Sequence, residues 1–401
     1  MTDGKRAIGV IFGSRSVEHD VSIVTATQVM KALDPARYDV VPIYITRDGR
    51  WYTGDNLTNL RNFDIDDIEN LTGTRRTSLS TSTSQPGLIT PPLAGWLRNN
   101  RFQKLDVMFP VVHGSHGEDG TLQGLFELVD LPYVGTGVMT SAIANDKAMT
   151  KTVLAAHGIP VLEKYLAFQR HAWHTNRDAL LKRIANEIGY PVFVKPLRLG
   201  SSIGIAQAHD AEEAAIHIDI ALNLEQRVLV EQTAPGEDVV EINCAVMGNH
   251  DLQTSVLEQP VSYEDFLTYE EKYMREGGAS GMKGQERIIP APIDENIAAQ
   301  IRHTTEAAFR AIGGAGIARF DYFLDKATGR FWVNEINTMP GSLAFYLWEP
   351  SGMSPGAVCD ELIRLALDTH KEKQQTTFNY KSRLIHHAAT RGSKGSKSSK
   401  S

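Results

Sequence analysis

The strongest constraint on the fold lies in the first 46 residues, where apolar runs alternate with a glycine turn and a helical stretch. AIGVIF (7–12) reads as a strand, Ser22–Leu33 as a helix and YDVVPIYIT (38–46) as a second strand. Two buried strands separated by a helix pair in parallel, with the helix packed on a face of the sheet, so the chain opens as an α/β unit. The connecting stretch FGSRSVEHDVS (12–22) sits where many α/β proteins hold a nucleotide. It carries Glu18, His19 and Asp20, and an acidic turn is a poor place for a pyrophosphate.

Further along, LDVMFPVVHG (105–114) is another buried strand that enters the glycine-rich turn GSHGEDGTLQG and the helix LFELVD. A helix runs from about Lys147 to His157, where GIPV stops it. Strands VLEKYLAF, YPVFVKP and RVLVEQ, with helices at 176–188 and 210–222, give a second unit over 148–236. The third unit, 237–375, has strands EINCAVMG, ARFDYFLD and RFWVNEIN and helices at 294–312 and 354–370. Its long irregular stretch 262–290 reads as a functional loop. The polar segment 72–87 is expected to be a surface loop inserted in the first domain (1–147), and the Gly-, Ser- and Lys-rich 376–401 a disordered basic tail.

A net charge of −7 argues against a nucleic-acid partner, because tracking phosphates requires clustered Lys and Arg. No apolar run approaches the roughly 18–20 residues that span a bilayer, and MTDGKRAIGV does not read as a signal peptide. No membrane association and a cytoplasmic location are expected. Cys244 and Cys359 are far apart and suggest neither a zinc site nor a disulfide.

Three stretches carry chemistry. FVKPLRLGSSIG (193–204) delivers Lys195 beside a loop whose backbone N–H groups suit phosphate oxygens; a β-hairpin with a surface lysine is the plainer reading. VLVEQTAPGED (228–238) places backbone at a strand end, where it suits an adenine edge, with Glu237 or Asp238 near a ribose, and reads equally as a linker. In ARFDYFL (318–324) and WVNEINTMPGS (332–342), period-2 alternation puts Arg319 and Asp321 on one face and Glu335 with Asn337 on another, with Asn334 opposed to Glu335. Asp321, Glu335 and Asn337 then converge as hard oxygen donors of the kind that suit Mg²⁺; a solvated strand face is the alternative.

In this order, the three sites resemble the ATP-grasp superfamily. Together with FGSRSVEHDVS, VVHGSHGEDGTLQGLFE (111–127) and YVGTGVMTSAIANDK (133–147), they resemble the D-alanine–D-alanine ligase family over roughly residues 6–370. The resemblance implies a mixed α/β, α+β ATP-grasp fold with a Rossmann-like N-terminal domain and ATP held between the central and C-terminal domains. It implies that ATP phosphorylates one D-alanine and that the amine of a second attacks the acyl phosphate, a step in making peptidoglycan precursors. The family pattern assigns Lys147, Lys195, Ser201, Ser202 and Lys272 to phosphates. Glu231, Gln232 and Ala234 fall to adenine, Asp238 to ribose, and Asp321, Glu335 and Asn337 to Mg²⁺ or Mn²⁺. Arg319 matches the arginine at the oxyanion, and Tyr273 a lid contact reaching back to Glu18 and Ser201 within the glycine-bearing loop 268–284. Two-fold dimers are common in the family, so a homodimer is implied by analogy.

With ATP placed on residues 147–337, the opening turn is free for an amino acid. Glu18, beside a helix N-terminus, becomes the expected anchor for the first D-alanine's ammonium, with His113 lining the pocket; a plain helix-capping acid is the alternative. Many members place a serine after the PG turn to hold the second D-alanine's carboxylate, whereas this chain reads SLAFYLWEPSG. That duty would fall near Gly341, to Ser342, the Tyr346 hydroxyl or the Leu347 N–H. Leu199 also stands where some members carry an acid, and Asp238 is shorter than the usual glutamate. Ligation to D-serine or D-lactate is the neighbouring alternative, with Tyr273 speaking against lactate. A non-catalytic ATP-binding regulator retaining every ligand, and an NAD-dependent oxidoreductase lacking GxGxxG, fit less well.

Overall fold

The computed structural model describes residues 4–64, 68–91, 99–261 and 287–377, with residues 382–385 and 388 beyond. Lys272, Tyr273, most of the 262–290 loop and most of the 376–401 tail lie outside the described residues.

The N-terminal unit is built on β1 (Arg6–Gly13), α1 (His19–Ala32) and β2 (Tyr38–Ile45), joined by β3 (Trp51–Thr53) and β4 (Arg75–Arg76). The segment 72–87, expected as a loop, supplies β4 and β5 (Ser78–Leu79) and leads into β6 (Gly87–Thr90); β7 (Arg101–Lys104) and β8 (Val107–Pro110) follow. One sheet has the order β4-β3-β2-β1-β8, with β1 parallel to both β2 and β8, and β5-β6-β7 form a small separate sheet. β1 is fully buried from Ile8 on because helices cover both faces, which is why it reads as a continuous apolar run rather than an alternating one. At its end Gly13 has φ +87, and a Cβ there would lie 2.2 Å from the Ile45 carbonyl, so the turn into α1 requires glycine.

α2 (Thr121–Leu128) covers one face of this sheet, and α1 covers the other. Two further helices, α3 (Val138–Asn145) and α4 (Lys147–Ala156), follow. The central unit is an antiparallel sheet of order β11-β10-β12-β9, made from β9 (Tyr165–Gln169), β10 (Val192–Pro196), β11 (Ala206–Ala208) and β12 (Arg227–Gln232). It is backed by α5 (Arg170–Arg183) and α6 (Ala211–Leu224). α5 begins earlier than the helix expected at 176–188, and only the end of VLEKYLAF is a strand.

In the C-terminal unit, β13 (Val239–Gly248), β14 (Leu252–Pro260), β15 (Arg287–Ile288), β16 (Gly316–Asp325) and β17 (Arg330–Asn337) form an antiparallel sheet of order β15-β14-β13-β16-β17. α7 (Glu295–Ala311) packs on this sheet. Ala144, Leu154 and Val161 share its core, although the expected boundary at 147/148 assigns two of these to the central unit. After α8 (Phe345–Trp348), α9 (Pro355–Lys373) returns to the first domain, where Val358, Leu362 and Ile363 join Phe12, Val107 and Phe109 in one core. The first and last segments are thus fastened together, and the ends of β1, β10 and β17 face one cleft.

Candidate active site

Glu18 occupies the N-cap of α1 but makes no side-chain cap hydrogen bond. Its Oε1 instead accepts from the Ser201 hydroxyl across the domain boundary, which opposes the helix-capping alternative. The loop carrying Glu18 is tied down by Ser16, whose hydroxyl accepts from the Glu18 N–H at 3.1 Å and donates to the His113 carbonyl at 2.8 Å. The opposite wall is Gly114, with φ +69, where a Cβ would lie 2.5 Å from Glu18 Oε2.

Beside Glu18 stands a second carboxylate that the sequence reading did not single out. Glu118 accepts from the Gly114 N–H at 2.8 Å and the Met339 N–H at 2.9 Å, which joins the GEDG turn to the PG turn of the C-terminal unit. Burial, and then the charge of Glu18, push its carboxyl up to about 8 against these two bonds. Two carboxylates facing one another, one favouring its neutral form, suit an ammonium ligand. His113 is buried and neutral, its pKa lowered to about 4 chiefly by burial. Its Nε2 meets the Thr25 hydroxyl at 2.9 Å, and that hydroxyl accepts from the Ser342 N–H at 3.2 Å.

The phosphate candidates form a lysine cluster. Asp146 accepts from the Met149 N–H at 3.0 Å and so caps α4; Lys147 is the first helical residue, its Nζ donating to the Leu199 carbonyl at 2.8 Å and lying 3.5 Å from Glu335. Lys195 on β10 contacts Glu231 at 2.5 Å and Asn334 Oδ1 at 3.2 Å. The other Glu231 oxygen lies 2.8 Å from Lys151, and Lys151 and Glu231 are each 1% exposed. Burial alone would raise the Glu231 carboxyl, but Lys151 and Lys195 outweigh it and hold it at about 2. Glu231, carried by the resemblance to adenine, therefore has both oxygens engaged by lysines. Lys151 belongs to no motif in the sequence, although its i+4 spacing from Lys147 puts it on the same helix face.

Gln232 closes β12 with its N–H on the Lys164 carbonyl at 3.0 Å and its side-chain oxygen accepting from the Lys164 N–H at 3.1 Å. Ala234 is half-buried and Asp238 exposed in the connection that follows. Ser201 and Ser202 adopt left-handed backbone, with φ of 56 and 57.

Asp321 pairs with Glu335 across β16 and β17, and Arg319 with Asn337. A bulge after this register leaves Asn334 as the extra residue, so the expected opposition of Asn334 and Glu335 does not hold: Asn334 meets Lys195 while Glu335 meets Lys147. Arg319 grips Asp321 in a fork, with Nε–Oδ1 2.6 Å and Nη2–Oδ2 2.7 Å, and Asn337 Nδ2 donates to Asp321 at 2.9 Å. Burial raises the Asp321 carboxyl against Arg319, and Glu335 and Glu258 add to the rise. Two hard carboxylates in mutual repulsion beside an amide oxygen fit a small divalent cation. Among the described residues no cluster of three His, Cys, Asp or Glu side chains forms a metal cage, so a cation here would complete its shell with water and phosphate oxygens.

A narrow cleft of about 40 Å³ is lined by Glu18, Glu118, Lys147, Gly200, Glu335 and Asn337, which brings the first substrate's expected anchor to the phosphate and metal candidates. A wider hollow of about 380 Å³ between β1, β2 and α2 contains none of these groups. Past Gly341, residues Ser342, Leu343 and Ala344 all have left-handed backbone (φ 51, 48 and 53), a strained turn held by the Leu343 N–H on the Pro340 carbonyl at 2.8 Å. It sets Tyr346 against Arg319, whose Nη1 donates to the phenol oxygen at 3.3 Å, and leaves Leu347 buried.

Comparison with known proteins finds similarity over both halves of the chain. Residues 7–136 match the family described as D-ala D-ala ligase N-terminus, and residues 153–364 the D-ala D-ala ligase C-terminus. The D-alanine–D-alanine ligase of Geobacillus thermodenitrificans is 37% identical over 380 residues, covering 94% of this chain and 99% of that protein. The corresponding ligase of Acetivibrio thermocellus is 38% identical, covering 93% and 98%. Among solved structures, the VanG D-Ala:D-Ser ligase from Enterococcus faecalis is 31% identical over 90% of this chain and 100% of that one, with a TM-score of 0.76. The D-alanine–D-alanine ligase from Coxiella burnetii is 30% identical over 97% and 99%, with a TM-score of 0.75.

Proposed function

The chain belongs to the D-alanine–D-alanine ligase family, and on that footing we propose that it joins two D-alanines with cleavage of ATP to ADP and phosphate, for peptidoglycan precursor synthesis. The observation that carries this reading is the cleft where Glu18 and Glu118 share walls with Lys147, Glu335 and Asn337. An amino-acid ammonium at the two glutamates directs its carboxylate towards the phosphate groups.

In the first step the carboxylate of that D-alanine attacks the terminal phosphorus of ATP, and ADP leaves. Lys147 and Lys195 offset the phosphate charge from fixed positions, Lys195 being held by Glu231 and Asn334. Mg²⁺ or Mn²⁺, which Asp321, Glu335 and Asn337 would hold, supplies further charge neutralisation at phosphate oxygens. In the second step the amine of another D-alanine attacks the acyl phosphate carbonyl, the tetrahedral oxyanion collapses and phosphate leaves. Arg319, a half-buried cation, is the group assigned to that oxyanion, its protonated form secured against desolvation by Asp321. Ser201 and Ser202 belong to the loop over the ATP phosphates, and Lys272 and Tyr273 to the loop proposed to exclude water.

Among the described residues no helix is long and apolar enough to cross a membrane. A cytoplasmic homodimer with ATP and D-alanine as its small-molecule partners is proposed from family analogy. The test is phosphate release with ATP and Mg²⁺, expected only when D-alanine is present. Release that depends instead on another amino acid would sink the substrate assignment while leaving the fold intact.

A further inference from the structure

Arg287 opens β15 opposite Pro260 of β14. Its side chain is 9% exposed, with Nη1 lying 3.0 Å from Oε1 of Glu258 and its guanidinium carbon 3.9 Å from the centre of the Tyr346 ring. Glu258 is in turn held by Asn243, whose Nδ2 donates to Oε2 at 3.2 Å. Yet Nε, Nη1 and Nη2 of Arg287 are buried and make no hydrogen bond among the described residues. Glu258 therefore fixes where the guanidinium sits without filling its donors.

The neighbouring arginine shows what those donors take. Arg319 presents its Nε/Nη2 edge to the two oxygens of Asp321 at 2.6 and 2.7 Å. The same edge of Arg287 has no hydrogen-bond partner among the described residues, one phenol ring away across Tyr346, which touches both guanidinium groups. A desolvated guanidinium with an empty planar fork is costly unless a planar oxyanion completes it, and a carboxylate matches that fork in two parallel bonds. Tyr346 also lies near the position where the family resemblance implies a serine for the second substrate's carboxylate, and a phenol already engaged by Arg319 offers no charge of its own.

We infer that Arg287 is the specificity-determining anchor for the α-carboxylate of the second D-amino acid, with the Tyr346 ring as the platform that aims its open fork. The inference rests on the ligase reading above. The second substrate is thereby required to carry a free carboxylate, and its amine is left towards the acyl phosphate.

The test separates the two substrate sites. First-site use is read as D-alanine-dependent acyl phosphate trapped with hydroxylamine, second-site use as dipeptide formed, and D-alaninamide serves as an acceptor without a carboxylate. Arg287→Gln should raise the second-site KM by about 30-fold or more, with the first-site KM and the ATP KM within about 2-fold of wild type. The preference for D-alanine over D-alaninamide should collapse. Arg287→Lys, which keeps the charge but not the fork, should fall between and covers the case where the glutamine variant does not fold. An unchanged second-site KM or an unchanged D-alanine/D-alaninamide ratio in either folded variant overturns the inference. A wild-type protein that forms acyl phosphate but no dipeptide refutes the ligase reading instead, and the same ratio, taken with the acceptor it does use, still decides the role of Arg287.

Discussion

Binding of the first D-alanine should expel a proton from Glu118. Without ligand this carboxyl faces Glu18 in a buried site that raises its pKa from 4.5 to about 8. At pH 7 the neutral form therefore predominates there. An ammonium placed beside the two glutamates offsets both the burial and the Glu18 charge that favour the neutral form, so Glu118 ionises and close to one proton leaves per D-alanine bound. Calorimetric titration of D-alanine in two buffers of different ionisation enthalpy measures this number directly. It should be near one at pH 7, fall towards zero by about pH 9, and vanish in Glu118→Gln. The sign carries over to stability: a carboxyl raised in the folded state stabilises it fully below the unfolded value and loses that contribution as pH rises through about 8. Heats that do not depend on the buffer, or proton release that survives in Glu118→Gln, would refute this account of the first subsite.

Replacing Glu231 with Gln leaves Lys151 and Lys195 buried without their shared counter-charge; ATP affinity should fall by at least about 10-fold, measured by nucleotide titration, and retained affinity would remove Glu231 from the phosphate site. Glu335→Gln should cut Mg²⁺-dependent phosphate release by roughly 100-fold or more, and an unaltered rate contradicts the metal assignment. Gly114→Ala drives a methyl against Glu18 Oε2 and strains a backbone at φ +69, so the KM for the first D-alanine should rise with the ATP KM unmoved.

Elements and site residues are legible in the sequence where one physical signal dominates. β1 from Ile8 on and residues 41–45 of β2, buried throughout, show as apolar runs, and Asp321 with Glu335 stand out because acids in buried strands need a reason. Legibility fails where signals are mixed. β14, LQTSVLEQP, mixes buried, half-buried and exposed positions without a regular period and carries no long apolar run. The Ser- and Thr-rich 72–87 looked like a loop on composition, yet its short strands hold through backbone pairing. Strict alternation misplaced Asn334 because a bulge adds one residue, which local composition does not announce. Glu118 and Lys151 acquire their meaning only from partners far along the chain, Met339 and Glu231. Arg287 stands alone in ERIIPAP, and only folding sets it against Tyr346.

The most direct test of the central claim is mass spectrometry of the products formed from D-alanine, ATP and Mg²⁺, run beside a panel of other D-amino and D-hydroxy acids. D-Alanyl-D-alanine should form, with one ADP and one phosphate for each dipeptide. A mixed product such as D-alanyl-D-serine in preference to the D-alanine dimer, or ATP cleavage with no new amide bond, would contradict that claim.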